Sequence, residues 1–161
     1  MAVANSAVGQ LAPEFTLKSQ TGESVSLSSL LAQGPALVVF YPGDFTPVCT
    51  KQLCNYRDNL MSFIDFGVQI VGISRNSPSE HAHFAEEYGF SFPLLSDPGQ
   101  KVAREYGCTS LLMLGGISRA VYIVGRDRKI LYRYIESTVL TRREANELLE
   151  ILAELKQTDR I

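Results

Sequence analysis

The segment from Tyr41 to Cys54, YPGDFTPVCTKQLC, holds the residues of this chain that are best suited to thiol chemistry. It follows the apolar, β-rich stretch ALVVF, so we expect a strand to lead directly into it. Thr46 is a suitable N-cap and Pro47 suits the first helical position, which places Cys49 in the first turn of a helix. Unpaired amide N–H groups and the positive end of the helix dipole stabilise a negative sulfur there. Cys49 is therefore the candidate nucleophile.

Pro42, Thr46 and Cys49 form a Pro-x-x-x-Thr-x-x-Cys pattern, and Cys54 follows the first cysteine five residues later. In this pattern the chain resembles the peroxiredoxins. The TPVCT core, the cysteine spacing and the following Tyr-Arg-Asp are similar to the peroxiredoxin Q or bacterioferritin-comigratory-protein subfamily, with Val48 where that subfamily often has glycine. The likeness in element order covers about residues 12 to 155.

The resemblance implies an enzyme, a thiol peroxidase that reduces hydrogen peroxide and organic hydroperoxides through a cysteine sulfenic acid. Cys49 would be the peroxidatic cysteine and Cys54 the resolving cysteine of an intramolecular disulfide. Thioredoxin or a similar dithiol protein would be the reductant. No cofactor and no metal is expected, and an intramolecular disulfide favours a monomer.

Peroxide chemistry needs a thiolate, alignment of sulfur with both oxygens, and stabilisation of the leaving oxygen. The Thr46 hydroxyl and the first helical amides can serve the last two needs, and Pro42 can shield the sulfur from water. Peroxiredoxins bring an arginine from a distant strand, and Arg119 in SRAVYIVG matches that place. Without the resemblance, Arg119 would be read as a solvated edge residue. Gln52 can orient the site.

Cys49 and Cys54 cannot join while they lie on one intact helix. Residues five apart are separated by roughly 8–9 Å between Cα atoms, from a rise of ~1.5 Å per residue. A disulfide tolerates at most about 7 Å, so the first helical turns must unwind. Two alternatives remain open: Cys54 is only a small buried side chain, or Cys108 is the resolving thiol. No motif surrounds Cys108, for which burial is the favoured interpretation.

Composition fits one domain covering residues 1–161, because 161 residues with 45% hydrophobic content can build a single core. A net charge of −2 gives no reason to expect nucleic acid or a membrane as partner. The first residues lack the pattern of a secretory signal and no long apolar run follows, so the expected location is the cytoplasm. Three cysteines are too few for a disulfide scaffold.

Strands and helices are expected to alternate, which predicts an α/β fold with a central mixed sheet flanked by helices. The resemblance sharpens this to a thioredoxin fold with an N-terminal β-hairpin extension. Strands are expected at 15–18, 24–27, 36–41, 68–74, 92–95, 120–124 and 130–135. Helices are expected at about 47–66, ended by Gly67, and after three capping boxes that begin at Ser77, Asp97 and Thr141.

Two other functions deserve comparison. A thiol-disulfide oxidoreductase or redox sensor would use both cysteines without peroxide, but such proteins typically have Cys-x-x-Cys, whereas four residues separate this pair. A metal-binding module could recruit His81, His83 and the cysteines. Two positions apart on a helix, their rings point about 200° from each other, and both are expected to face solvent.

Overall fold

The computed structural model describes residues 6–111, 114–138 and 140–161. Its strands are β1 (Thr16–Ser19), β2 (Ser24–Ser26), β3 (Ala36–Phe40), β4 (Gln69–Ser74), β5 (Leu94–Ser96), β6 (Ala120–Val124) and β7 (Ile130–Ile135). Its helices are α1 (Leu27–Leu31), α2 (Pro47–Asp58), α3 (Leu60–Asp65), α4 (Pro78–Tyr88), α5 (Lys101–Glu105) and α6 (Ala145–Gln157).

The strands form one open sheet in the order β2-β1-β5-β4-β3-β6-β7. Strands β3, β4 and β5 run parallel to their neighbours in this trio, whereas the pairs β3–β6, β6–β7, β1–β5 and β1–β2 are antiparallel. The sheet is therefore mixed, with helices on both faces, and the predicted fold class is confirmed.

The central strand β3 shows why both faces must be covered. Ala36, Val38 and Phe40 belong to one hydrophobic cluster, and the alternating Leu37 and Val39 belong to the other. Helices α1 and α5 contribute to the first cluster, and α2, α3, α4 and α6 contribute to the second. A strand buried on both faces reads as a continuous apolar run, which is the pattern that predicted β3.

The predicted N-terminal hairpin forms, with Leu17 opposite Val25 and Gly22 in the turn at a φ of +84°. Its first strand also pairs with β5, so the extension is continuous with the central sheet. The short helix α1 directly after the hairpin was not predicted. Ser26 caps it through a reciprocal pair of hydrogen bonds with Ser29.

The helix predicted at 47–66 is two helices, α2 and α3, divided at Asn59. The Asn59 backbone lies at φ −109° and ψ 14°, and its side-chain amide donates to the Asn55 carbonyl at 2.8 Å. An asparagine side chain that takes a backbone acceptor competes with the helical ladder. Gly67, with a φ of +74°, ends the second helix, as expected.

Of the three predicted capping boxes, the one formed by Ser77 and Glu80 is confirmed. The other two are wrong. Gln100 is the N-cap of α5, and the Asp97 carboxylate reaches past it to accept the amides of Val102 and Ala103. Helix α6 begins three residues later than predicted, behind Glu144, whose box partner is Glu147.

Candidate active site

Cys49 lies where the sequence placed it, in the first turn of α2. Strand β3 ends at Phe40, a loop of residues 41–46 follows, and Thr46 is the N-cap with extended backbone at φ −75° and ψ 146°. Pro47 occupies the first helical position, and Cys49 is fully buried. The first four amides of an α-helix have no partner within it, so their N–H groups favour an anion at this sulfur.

Arg119 reaches the same sulfur from the start of the neighbouring strand β6. Its neighbour Ala120 pairs with Phe40, so the antiparallel β3–β6 register brings Arg119 to the sheet end from which the loop departs. Its Nη1 donates to Cys49 Sγ at 3.0 Å and to Gln52 Oε1 at 2.9 Å, and the residue is only 3% exposed. A buried guanidinium at this distance stabilises negative charge on sulfur.

A hydrogen-bond chain holds that guanidinium in place. Gln52 Nε2 donates to the Tyr56 hydroxyl at 2.9 Å, and this hydroxyl donates to the Arg143 carbonyl at 2.7 Å. Burial is the main cause that raises the pKa of Tyr56, so the phenol remains a neutral donor. The Gln52 amide is thereby oriented with its oxygen toward Arg119. The sequence left the role of Gln52 open and missed Tyr56, although spacings of three and four put both on the helix face of Cys49.

Thr46 and Pro42 stand beside the site with other contacts. The Thr46 hydroxyl donates to the Gly43 carbonyl at 3.1 Å, and its own carbonyl accepts the Thr50 hydroxyl at 2.8 Å. Pro42 is half-buried and, together with Arg75 and Ile117, lines a cavity of about 260 Å³.

Cys54 and Cys108 lie in different surroundings, and all three cysteines are free thiols. Cys54 is partly exposed on the same continuous helix as Cys49, and burial raises its pKa while nearby Arg57 opposes the shift. Cys108 is 1% exposed, and its sulfur donates to the Ala103 carbonyl at 3.4 Å. Burial, with a contribution from the Asp97 carboxylate, raises the pKa of Cys108 strongly.

The expectation that both histidines face solvent is wrong for His81. His83 is exposed, but His81 is fully buried, and its Nδ1 lies 2.7 Å from Asp44 Oδ2 in the loop before Cys49. A buried polar ring needs partners, and Asp44 and the Leu95 carbonyl supply them. In the described parts of the chain, no three His, Cys, Asp or Glu side chains gather as a metal site.

The AhpC/TSA family model matches residues 8–133, well over half of the chain. The chain belongs to this family, the peroxiredoxins. A chloroplastic peroxiredoxin Q of Sedum lineare is 39% identical over 148 residues, covering 92% of this chain and 78% of the relative. One from Populus jackii is 43% identical over 118 residues, covering 73% of this chain and 55% of the relative. This peroxiredoxin thus spans about half the length of some of its curated relatives.

The solved peroxidoxin BcpB of Mycobacterium tuberculosis superposes with a TM-score of 0.85 at 34% identity, covering 94% of this chain and 99% of that chain. An AhpC of Enterococcus faecalis gives a TM-score of 0.87 at 24% identity, covering 96% and 95% of the two chains, and shows the fold alone. The predicted resemblance to peroxiredoxin Q is therefore confirmed. None of the helices described for this peroxiredoxin is long and apolar enough to cross a membrane.

Proposed function

We propose that this chain is a thiol peroxidase whose peroxidatic residue is Cys49. The observation that carries the proposal is the 3.0 Å contact between Arg119 Nη1 and Cys49 Sγ, made inside a buried site at a helix N-terminus. The same Nη1 also donates to the neutral amide oxygen of Gln52 at 2.9 Å. A thiolate with a fixed cation beside it is an activated nucleophile.

The reaction begins when the Cys49 thiolate attacks the hydroxyl oxygen of a hydroperoxide. The sulfur–oxygen bond forms as the O–O bond breaks, which gives a sulfenic acid and an alkoxide or hydroxide that takes a proton from water. Arg119 and the first amides of α2 can donate to the leaving oxygen as its charge develops. In this proposal the Thr46 hydroxyl turns from Gly43 toward the peroxide, and Pro42 limits access of water.

Resolution would follow by attack of Cys54 on the sulfenic sulfur, which releases water and forms an intramolecular disulfide. Both cysteines lie on one continuous helix, so about 8–9 Å separates their Cα atoms, beyond the limit of about 7 Å for a disulfide. The first turns of α2 must open. Because burial is what raises the pKa of Cys54, opening also returns this thiol toward its ordinary acidity and increases its thiolate fraction. A thioredoxin-like dithiol then reduces the disulfide.

Three further points are proposed on the sequence argument: a single domain over residues 1–161, a monomeric state and a cytoplasmic location. Support for the monomer is the intramolecular disulfide proposed above. Several relatives are named as chloroplastic, so fractionation of the native source is the measurement that decides the compartment.

The direct test is a peroxide assay coupled to thioredoxin, followed by peptide mapping. The expected result is sustained consumption of hydrogen peroxide and of an alkyl hydroperoxide, and one disulfide joining Cys49 to Cys54 after one equivalent of peroxide. Formation of a thioredoxin-reducible disulfide without peroxide consumption would instead assign thiol-disulfide exchange.

A further inference from the structure

The loop that delivers Cys49 is tied to the protein interior by a cluster of buried polar groups. Asp44 Oδ1 accepts the Tyr41 hydroxyl at 2.6 Å, and Asp44 Oδ2 lies 2.7 Å from His81 Nδ1. The side chains of His81 and Asp44 are 0% and 1% exposed, and Tyr41 is fully buried. No step of the proposed peroxidase reaction uses any of the three.

The buried ring of His81 has a partner at each nitrogen. Nε2 lies 3.0 Å from the Leu95 carbonyl, which can only accept, so Nε2 carries a proton. Nδ1 lies 2.7 Å from Asp44 Oδ2 and 3.4 Å from the Tyr41 hydroxyl, so both ring nitrogens have partners. Burial raises the pKa of Tyr41 well above its ordinary value, with a contribution from Asp44, so the hydroxyl remains a donor. A cluster whose polar groups all have hydrogen-bond partners can stay buried.

The loop itself has a conformation that needs support. Phe45 lies at a φ of +63°, a region that residues with a side chain rarely adopt, and it directly precedes the N-cap Thr46. On its N-terminal side the Asp44 amide donates to Asn76 Oδ1 at 2.9 Å. The Phe45 side chain packs against α4, where its ring centroid lies 4.8 Å from that of Phe84. Such a backbone persists where surrounding contacts over-determine it, and Asp44 is fixed by both its amide and its carboxylate.

We propose that Asp44 and His81 are positioning residues that hold the 41–46 loop, through buried hydrogen bonds, in the geometry that aligns Cys49 with peroxide. The inference rests on the proposed peroxidase function. Helix α4 and the β5 carbonyl thereby define where α2 begins, although neither carries a group that reacts. Without the pair, the loop relaxes at Phe45, and the Thr46 and Pro42 side chains and the first helical amides move relative to the sulfur.

The experiment uses the full chain with Cys54→Ser and Cys108→Ser, so that only Cys49 reacts. Stopped-flow rates are measured for oxidation by hydrogen peroxide and for alkylation by iodoacetamide, which needs the sulfur but no oxygen alignment. Asp44→Ala and His81→Ala are each expected to slow the peroxide reaction by about 100-fold, the cost of a misplacement near 1 Å, and to leave alkylation unchanged or faster. The double variant should lose little more than either single variant, because both remove one interaction.

The conservative variant separates hydrogen bonding from charge. The amide introduced by Asp44→Asn can donate to His81 Nδ1 and accept the Tyr41 hydroxyl, so the peroxide rate should return to within about 3-fold of the parent. Tyr41→Phe removes the hydroxyl that donates to Asp44 Oδ1 and lies 3.4 Å from His81 Nδ1. It is the milder variant should an alanine variant not fold, with an expected loss of about 3- to 10-fold. His83→Ala, on the same helix but exposed, is the matched control with no change.

The midpoint of thermal unfolding is measured for each variant and for Leu30→Ala, which lies in the hydrophobic cluster on the opposite face of the sheet from Cys49. The comparison shows whether lost stability alone slows the reaction. If Leu30→Ala matches the stability loss but keeps the peroxide rate, positioning is supported. An Asp44→Asn variant as slow as Asp44→Ala overturns the hydrogen-bond assignment, and equal losses toward both reagents overturn positioning. A parent chain that peroxide fails to oxidise refutes the proposed function, whereas a parent that reacts beside unaffected variants refutes only this inference.

Discussion

Cys49 and Cys108 are buried to the same extent, at 0% and 1% exposed, yet their sulfurs meet opposite partners. Cys49 Sγ accepts a hydrogen bond from the Arg119 guanidinium at 3.0 Å, in the first turn of α2. Cys108 Sγ donates to the Ala103 carbonyl at 3.4 Å, just beyond the end of α5, with the Asp97 carboxylate among its neighbours.

The difference shows that burial alone does not decide the chemistry of a thiol. Burial penalises a thiolate in both places, because a charge is removed from water. A helix N-terminus and a cation are favourable neighbours for an anion, whereas the Asp97 carboxylate beside Cys108 adds to the penalty there. The same side chain is thus a candidate nucleophile in one place and a small apolar filler in the other.

The largest expected effect separates these two cysteines directly. Cys49→Ser should reduce peroxide turnover to background, because no other thiol in the described structure lies beside a cation at a helix start. Cys108→Ser is the matched control, and circular dichroism verifies that it keeps a stable fold. Its turnover should stay within about 3-fold of the parent, because its buried sulfur makes no contact with substrate. Substantial turnover by Cys49→Ser in the thioredoxin-coupled assay would contradict the assignment.

The second prediction removes the cation and leaves the sulfur. Arg119→Ala should slow peroxide oxidation by about 100- to 1000-fold, the usual cost of losing one preorganised donor to a developing oxyanion. Arg119→Lys retains the positive charge without the forked geometry of a guanidinium, so its peroxide oxidation rate should fall between those of the parent and Arg119→Ala. Rates toward hydrogen peroxide and iodoacetamide are compared for each variant. Equal losses toward both reagents would mean that Arg119 acts only on the thiolate and not on the O–O bond.

Much of this contrast could be predicted from the sequence because it depends on local patterns. Short-range periodicity and turn residues are enough to predict the strand before Cys49, the helix start at Thr46 and Pro47, and the bounds of strands β6 and β7. Arg119 is different, since only the family resemblance indicated it. Its contact depends on the β3–β6 register, which pairs residues about 80 positions apart in the chain.

What could not be predicted depends on how distant elements meet. His81 lies on the α4 face that also carries the buried Phe84 and Ala85, a spacing of three and four that could have indicated burial. Its partner Asp44, however, is brought to it only by the docking of α4 beside the loop. The Thr46 hydroxyl, expected to face the sulfur or its substrate, donates to Gly43 instead, so its catalytic role stays a prediction.

The third prediction tests resolution by comparing Cys54 with Cys108. Cys54→Ser should consume about one equivalent of peroxide and then stall or turn over slowly through an external thiol, because Cys49 is still oxidised but lacks its partner. In the parent, hydrogen exchange should rise across about residues 46–58 when the disulfide forms. Non-reducing gels and mass spectrometry show which disulfide forms in the parent, in Cys54→Ser and in Cys108→Ser. If losing Cys108 stops turnover while losing Cys54 does not, the resolving role passes to Cys108.

The fourth prediction concerns the chain of hydrogen bonds behind Arg119. Tyr56→Phe removes the hydroxyl that orients the Gln52 amide, and should slow peroxide oxidation by about 3- to 10-fold, the worth of one neutral hydrogen bond. Gln52→Glu places a carboxylate against Arg119 and should reduce the rate further, because the added negative charge competes with the sulfur and the peroxide for the guanidinium. A Tyr56→Phe variant as slow as Arg119→Ala would give Tyr56 a direct role in the reaction.

The smallest expected effect is on the pH dependence of the free energy of unfolding, and it comes from Cys108. The folded-state pKa of Cys108 is raised by burial first and by Asp97 second, while an unfolded cysteine ionises near pH ~8.5. Above that pH the unfolded chain binds fewer protons than the folded one, so the contribution of Cys108 to the free energy of unfolding is fully present below pH ~8.5 and is lost as pH rises toward the folded pKa. Between pH 7.5 and 9.5 the loss should be about 1.4 kcal/mol for this one group.

Cys108→Ala should be somewhat less stable than the parent at pH 7.5, because it loses packing. At pH 9.5 the difference in the free energy of unfolding between parent and variant should be smaller by the same amount, because only the parent loses the Cys108 contribution. Urea unfolding at the two pH values measures both differences, and the Cys49 contribution cancels because both chains retain it. A gap that is independent of pH would show that Cys108 ionises alike in the folded and unfolded chains, and the contrast with Cys49 would then rest on Arg119 alone.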